Sequence, residues 1–181
     1  MMRPAAQTRD HQSSYRLRSG LVVTRTPRHR RIVEDMLAMA DMRRVEHVPD
    51  AEAVILKLQY ERQAGFVLCE ADESTRHHLA IAKFVRWNKA SPSIHLPIVA
   101  LGDRWTLPLV KEARDAGVTE IIGTPIAIYA FMRRFVSALY QERRFIMAPL
   151  YRGPDRRKHP DITYKGPWRR SDDSPQAINR G

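Results

Sequence analysis

The sequence predicts a doubly wound α/β fold with a five-stranded parallel sheet. Two observations carry this prediction. Between residues 20 and 142, short apolar runs alternate five times with longer amphipathic runs. The short runs have no polar face of their own, which is typical of parallel strands covered by helices on both sides. At 181 residues, the chain has room for one such domain and its extensions.

The first half of the pattern has recognisable boundary signals. A strand is predicted at GLVVT, residues 20–24, and a helix at RHRRIVEDMLAMA. Thr26 and Pro27 supply an N-cap and a proline at the first helical position. A weaker strand is predicted at RRVEHV, and Asp50 is expected to cap the helix AEAVILKLQYERQ.

The second half repeats the alternation three times. Strands are predicted at GFVLCE (65–70), LPIVALG (96–102) and VTEIIG, and helices at STRHHLAIAKFVRWNKA and TLPLVKEARDAG. Gly117 is expected to close the second of these helices. Thr124 and Pro125 are expected to cap the last helix, IAIYAFMRRFVSALYQERR.

The net charge of +11 is concentrated at the two ends of the chain. Residues 1–31 hold eight arginines and one aspartate, a charge of +7. Residues 143–170 hold nine basic and two acidic residues, again +7, whereas residues 32–142 carry −2. Basic ends on a near-neutral centre favour anionic partners such as nucleotides, nucleic acid or acidic proteins.

Several classes of protein are disfavoured by what the sequence contains. No run approaches the roughly 18 consecutive apolar residues of a membrane span, and a single cysteine, Cys69, fits a reducing cytoplasm. His77 and His78 are adjacent and cannot share a metal on a helix, so a solvated helix face is expected for them. We predict a cytoplasmic protein that is not an enzyme and has no metal or cofactor.

The alternating region resembles a CheY-like response regulator receiver domain. The stretch VKEARDAGVTEIIGTPI (110–126) resembles the receiver turn into strand five, and GFVLCEADES resembles the phosphoacceptor strand. LVVTRTPRHRRIVEDML resembles the opening strand and helix. The resemblance covers about residues 20–142 and implies a flavodoxin-like sheet whose functional groups follow the C-terminal ends of the strands.

The resemblance also implies that the phosphorylation site is degenerate. A working receiver has two acids that hold Mg²⁺, an Asp phosphoacceptor, a Thr or Ser, and a Lys-Pro. These places hold Thr24, Arg25, Glu70, Gly102, Thr124 and Pro125, of which only the proline is retained. Arg25 puts a cation where the metal would lie, and Thr124 carries no charge to stabilise a phosphoryl group. We therefore expect a receiver that acts without phosphorylation.

Glu70, at the phosphoacceptor position, has two interpretations. It is either a fixed mimic of the phosphorylated state or one half of an ion pair with Arg25 that closes an empty pocket. The ion pair is the favoured interpretation.

The stretch YRGPDRRKHPDITYKGPWRR (151–170) contains two near-copies of the phrase Tyr-basic-Gly-Pro-x-Arg-Arg, led by Tyr151 and Tyr164. Gly-Pro cannot continue a helix, so each copy opens with a turn. Arginine can pair with guanine O6 and N7, and aromatic rings can stack on bases. A carboxylate can accept hydrogen bonds from guanine N1 and N2, so Arg152 and Asp155 form an Arg-x-x-Asp unit suited to both edges of a guanine.

This tail resembles sites for cyclic di-GMP. Arg-x-x-Asp is the pattern of the inhibitory site of diguanylate cyclases, and a family of CheY-like receivers with arginine-rich tails binds this dinucleotide, some engaging the flagellar motor. The resemblance implies a ligand, a protein partner and a role in motility. The implied contact residues are Tyr151, Arg152, Asp155, Arg156, Arg157, Tyr164, Trp168, Arg169 and Arg170.

Two features of the tail leave alternatives open. The second copy has Lys165 and Trp168 at the Arg and Asp places, so Trp168 stacks or this copy has decayed. The tail as a whole could instead bind nucleic acid, dock on an acidic protein, or remain solvated.

These patterns divide the chain into three predicted segments. Residues 1–19 form a basic flexible extension, residues 20–144 a receiver-like domain, and residues 145–181 an arginine-rich tail. We expect residues 1–16 and the tail to be mobile, because they have too little apolar surface to offset the entropy of ordering.

Overall fold

A five-stranded parallel sheet lies at the centre of the computed structural model, which describes residues 19–42, 44–61, 64–141 and 143–156. Its strands are β1 (Ser19–Val23), β2 (Arg44–His47), β3 (Phe66–Glu70), β4 (Ile98–Gly102) and β5 (Glu120–Gly123). The strand order is β2-β1-β3-β4-β5, and every neighbouring pair is parallel. This arrangement confirms the predicted doubly wound sheet.

Five helices cover both faces of the sheet. They are α1 (Pro27–Met39), α2 (Ala51–Tyr60), α3 (Leu79–Trp87), α4 (Leu107–Ala116) and α5 (Ile128–Tyr140). The buried side chains of α1 and α5 pack in one core cluster, and those of α2, α3 and α4 pack in another. Because β3 and β4 are buried along their whole length, their sequences are apolar without alternation.

Most of the predicted boundary signals are confirmed. The Thr26 hydroxyl accepts from His29 N at 3.2 Å, and Asp50 Oδ1 accepts from Ala53 N at 2.8 Å. Gly117 ends α4 with φ of 90°, the left-handed conformation that favours glycine.

The predicted start of α5 is wrong. Thr124 and Pro125 precede the helix, whose N-cap is Ala127 without a side-chain hydrogen bond. The Thr124 backbone N–H instead donates to Gly102 O at 2.7 Å, which holds the residue at the end of the sheet.

The expectation of a solvated face is also wrong for His78. Residues Arg76–His78 form a 3₁₀ turn ahead of α3, and this turn brings the His78 ring into the protein, where Nδ1 lies 2.6 Å from Glu70 O. His77 is exposed, as expected.

The sequence predicts no element after residue 144, whereas the structure continues with an antiparallel hairpin. Its strands are β6 (Phe145–Ala148) and β7 (Tyr151–Pro154). The hairpin packs on α3 and α4, and this packing supplies the ordering energy that its own composition lacks. The expectation of a mobile tail is thereby corrected for residues 145–156. Residues 1–18 and 157–181 lie outside the described residues.

A buried guanidinium, that of Arg86 in α3, holds together the part of the fold on which the hairpin packs. Arg86 is 0% exposed and donates to the carbonyl oxygens of Gly117, Ile94 and Leu96 at 3.0, 2.6 and 2.9 Å. Burial lowers the pKa of this arginine to about 10, so the side chain stays charged at neutral pH. The segment before β4 and the turn after α4 are therefore both tied to one cation of α3.

Replacing Arg86 with methionine should destabilise the domain. The substitution leaves buried carbonyl oxygens without donors, and we expect the free energy of unfolding to fall by about 3 kcal/mol or more. Lys83→Met, at an exposed position of the same helix, is the control and should change it by less than about 0.5 kcal/mol. Urea unfolding of both variants measures the difference, and equal midpoints would contradict the role given to Arg86.

Candidate functional site

The loops at the C-terminal edge of the sheet form a cleft of about 310 Å³. Five of the six residues assigned to the degenerate phosphorylation site line it: Thr24, Glu70, Gly102, Thr124 and Pro125. The remainder of the lining is mostly apolar, from α1 and from the segments that follow β4 and β5. The sixth residue, Arg25, borders the adjoining depression with Asp72.

The carboxylate of Glu70 is buried and accepts two short contacts. Oε2 accepts from the backbone N–H of Arg25 at 2.6 Å, and Oε1 lies 2.7 Å from Nδ1 of His29. The predicted side-chain ion pair between Glu70 and Arg25 is therefore wrong. The chain reverses into α1 directly above Glu70, so the backbone of Arg25 faces the carboxylate while its side chain leaves in another direction.

The guanidinium of Arg25 lies over the loop that follows β3. Nη1 donates to Ser74 Oγ at 2.8 Å and lies 3.5 Å from Asp72 Oδ2. A cation of the chain itself thus lies beside Asp72, in the depression that adjoins the cleft.

Asp72 is a second acidic residue just past the C-terminal end of β3, where the sequence places functional groups of such a sheet. Burial opposes its ionisation, but hydrogen bonds from Ser74 and Thr75 outweigh it and lower the pKa of Asp72 to about 2. Both the backbone N–H groups and the hydroxyls of these residues donate to Oδ1. An aspartate followed by Ser and Thr two and three positions later is the sequence signal for such a turn.

Gly102 is fixed by packing. A Cβ atom at this position would overlap the carbonyl oxygen of Ala71 and would lie 3.3 Å from the Trp105 ring. A residue with a side chain, such as the Thr or Ser that the receiver resemblance would place here, does not fit without a shift of the backbone.

Side-chain cations that could stabilise a phosphoryl group do not line the cleft in the described part of the chain, since its lining includes neither lysine nor arginine. Within the described residues, no group of three or more His, Cys, Asp or Glu side chains is placed to hold a metal ion.

A second pocket, of about 370 Å³, lies where the hairpin meets α4, β5 and the C-terminal end of α5. We call it the basic pocket. Its charged lining residues are Arg114, Arg134, Arg143, Arg156, Glu120 and Asp155. Four guanidinium groups face two carboxylates, and Trp105 and Tyr151 add aromatic surface.

The residues assigned to the tail site lie in different places. Asp155 and Arg156 line the basic pocket. Arg152 lies outside it, with Cζ 4.6 Å from the centroid of the Trp87 ring. Tyr151 is buried, and Arg156 covers its ring at 4.1 Å. The other assigned residues lie outside the described part of the chain: Arg157, Tyr164, Trp168, Arg169 and Arg170.

Solved structures with a similar fold include receiver domains. The chemotaxis protein CheY4 from Vibrio cholerae superposes with a TM-score of 0.57 at 18% identity, over 67% of this chain and 98% of that one. A signal receiver domain of a histidine kinase from Clostridium thermocellum gives 0.58 at 10% identity, over 67% and 97%. A response regulator in red light signalling of R. palustris gives 0.54 at 17% identity, over 68% and 94%.

At these identities the likeness establishes a receiver-like fold. No protein-family profile and no curated protein matches the sequence. Among the described residues, no helix is both long and apolar enough to cross a bilayer.

Acetyl phosphate with Mg²⁺ should leave this protein unmodified, and Glu70→Asp should not change that. The aspartate would restore a phosphoacceptor, but Arg25 stays beside Asp72 and no ammonium group faces the cleft. Intact-mass spectrometry after incubation is the measurement, with a working receiver treated in parallel. A phosphoryl adduct on either form would refute the degeneracy of the site.

Gly102→Ala should destabilise the protein, whereas Gly123→Ala, on the neighbouring strand, should not. The Cβ at position 102 meets a backbone oxygen, and the Cβ at 123 lies 3.7 Å from Trp105 in ordinary contact. We expect a loss of about 2 kcal/mol or more for the first variant. Thermal unfolding of both variants, compared with the parent, tests the difference.

Proposed function

We propose that this protein is a response-regulator-like signalling protein that acts without phosphorylation, binds cyclic di-GMP through the basic pocket and its tail, and relays binding to a protein partner. The observation that carries the proposal is the basic pocket itself. It lies directly beside the first copy of the Tyr-basic-Gly-Pro-x-Arg-Arg phrase, and its size falls in the range of about 300–1,000 Å³ that is usual for small-molecule sites.

The arginines of the basic pocket suit phosphate groups. Glu120, 5% exposed, accepts from Arg134 Nη2 at 2.6 Å and from Arg143 Nη2 at 2.7 Å. Burial raises the pKa of Glu120, but hydrogen bonds from these two arginines outweigh it and lower the pKa overall, so the carboxylate stays ionised. Each guanidinium has five N–H donors, so both side chains are oriented by Glu120 and keep donors for an anion.

The remaining lining suits guanine better than phosphate alone. Asp155 places a carboxylate in a basic pocket, where it repels phosphate but can accept from the N1 and N2 donors of guanine. Trp105 offers an aromatic surface for a base. A contact of Arg152 with the same guanine requires this residue to leave Trp87. Contacts from Arg157, Tyr164, Trp168, Arg169 and Arg170 stay predictions from the sequence.

A concave site favours a small anion over the other partners of a basic tail. Duplex nucleic acid would need arginines spread over a convex or extended surface, whereas these converge on one space. Cyclic di-GMP, with two guanines and two phosphates, matches both the arginines and the carboxylate. An acidic protein surface or nucleic acid remains the alternative ligand that the experiment below separates.

Helix α5 is the proposed link to a protein partner. Arg134 on this helix lines the basic pocket, while Tyr129, Val136 and Tyr140 form an exposed apolar face on the same helix. Exposed aromatic side chains in a patch of this kind are typical of protein interfaces. The resemblance of the tail implies that a motility component is one such partner.

Calorimetric titration with cyclic di-GMP, GTP and a short DNA duplex tests the proposal. We expect a preference for cyclic di-GMP. Arg114→Ala removes a lining guanidinium and should weaken binding about tenfold to a hundredfold, since one bidentate contact is worth about 1–3 kcal/mol. Lys111→Ala, an exposed cation on the same helix that does not line the pocket, should bind as the parent does.

Asp155→Ala separates a guanine reader from a cluster of cations. Removing an acid strengthens a purely electrostatic site and weakens a site that needs the carboxylate. Equal or tighter binding of cyclic di-GMP by Asp155→Ala would refute the guanine contact. A parent protein that prefers DNA, or binds none of the three, would refute the ligand.

A further inference from the structure

The first copy of the repeated phrase is docked on the receiver-like fold. The Tyr151 hydroxyl is buried and donates to Pro154 O at 2.7 Å. Arg152 covers the Trp87 ring, and Arg156 pairs with Asp115 at 2.6 Å. These contacts place β7 against the ends of α3 and α4, on a surface that we call the dock.

A close backbone approach completes the dock. A Cβ added to Gly153 would lie 2.9 Å from Gly117 Cα and 2.7 Å from Tyr151 Oη. A Cβ added to Gly117 would lie 2.6 Å from Arg152 O. Only glycine therefore fits at the third position of the phrase while it is docked.

The positions that make these contacts are the ones that the second copy shares. Tyr, a cation, Gly, Pro and the first Arg of the pair recur as Tyr164, Lys165, Gly166, Pro167 and Arg169. The position whose chemistry changes is Asp155, which is Trp168 in the second copy. The backbone N–H of Asp155 donates to Arg144 O at 2.7 Å, a contact that any residue but proline can make.

We propose that residues 164–170 are a second occupant of the same dock, so that the two copies alternate on one surface. When the second copy docks, the first is released, and Arg152, Asp155 and Arg156 leave their present contacts together. Five positions that match the first copy, and not charge alone, identify residues 164–170 as this second occupant. This inference does not depend on cyclic di-GMP.

Loop length sets the balance between the two occupants. The first copy reaches its partner strand β6 through a loop of two residues, 149 and 150, whereas the second copy would need a loop of fifteen, 149–163. The difference in closure entropy favours the first copy by about 20-fold. The first copy is therefore the ground-state occupant, and the second takes the dock when the first is blocked or held elsewhere.

Hydrogen exchange of the full chain tests the alternation. Gly153→Val blocks the first copy through the contacts with Gly117 and Tyr151. In this variant the amides of residues 151–153 should exchange faster than in the parent, and those of residues 164–166 at least about tenfold slower. Gly166→Val is the matched control and should leave the parent pattern at 151–153 unchanged.

The double variant gives an independent thermodynamic readout. If the second copy rescues the dock, Gly153→Val with Gly166→Val should have a lower Tm than Gly153→Val alone, although Gly166→Val alone has the Tm of the parent. Unprotected amides at 164–166 in Gly153→Val, or the same Tm for the single and double variants, would overturn the proposal. Protection of the β3 and β4 amides from exchange shows that the domain is folded. If Gly153→Val loses this protection, the double variant Arg152→Ala with Arg156→Ala is used to weaken docking of the first copy instead. The proposal then requires the same shift of protection to residues 164–166.

Discussion

The buried charge of Arg86 is the constraint on which the hairpin side of the molecule depends. Among the described residues no carboxylate pairs with this guanidinium, so its carbonyl acceptors must be kept and the segments that carry Ile94, Leu96 and Gly117 cannot move independently. Gly117, which has no Cβ atom, then faces the hairpin, and Gly153 of the hairpin packs closely against it. The position of β7 follows from this contact, and so does one wall of the basic pocket.

Charged side chains are paired differently at two places in this receiver-like fold. At the C-terminal edge of the sheet, the chain satisfies its own acids: Arg25 lies over Asp72, and a backbone N–H and His29 contact Glu70. At the face formed by α4, β5 and α5, arginines outnumber acids among the residues that line the basic pocket, and two of these arginines pair with Glu120. The potential to attract an anion therefore lies at that face.

The sequence was sufficient for the sheet and for most helix ends because those features are local. The apolar runs, the Asp50 cap and Gly117 each depend on neighbours within a few residues along the chain. The sequence was insufficient where contacts between distant residues determine how a side chain or segment is placed. His78 is buried because the turn after β3 aims it at Glu70, and the Arg25 side chain follows Asp72 rather than Glu70. The hairpin was missed because four-residue strands are ordered by their contacts with the helices beneath them, and these contacts join residues that are distant in the sequence.

The contacts of the dock explain the repeated phrase in the tail better than binding of a nucleotide does. A phrase retained only for a nucleotide would preserve the residue that reads the base, yet the Asp of the first copy is Trp in the second. What both copies preserve is what the dock requires. A ligand that recruits Arg152 must take this residue from Trp87, whereas Tyr151, Asp155 and Arg156 line the basic pocket while the hairpin is docked. Ligand binding and docking are therefore linked free energies: a ligand in the basic pocket stabilises the docked hairpin, and release of the hairpin weakens the ligand by the same amount.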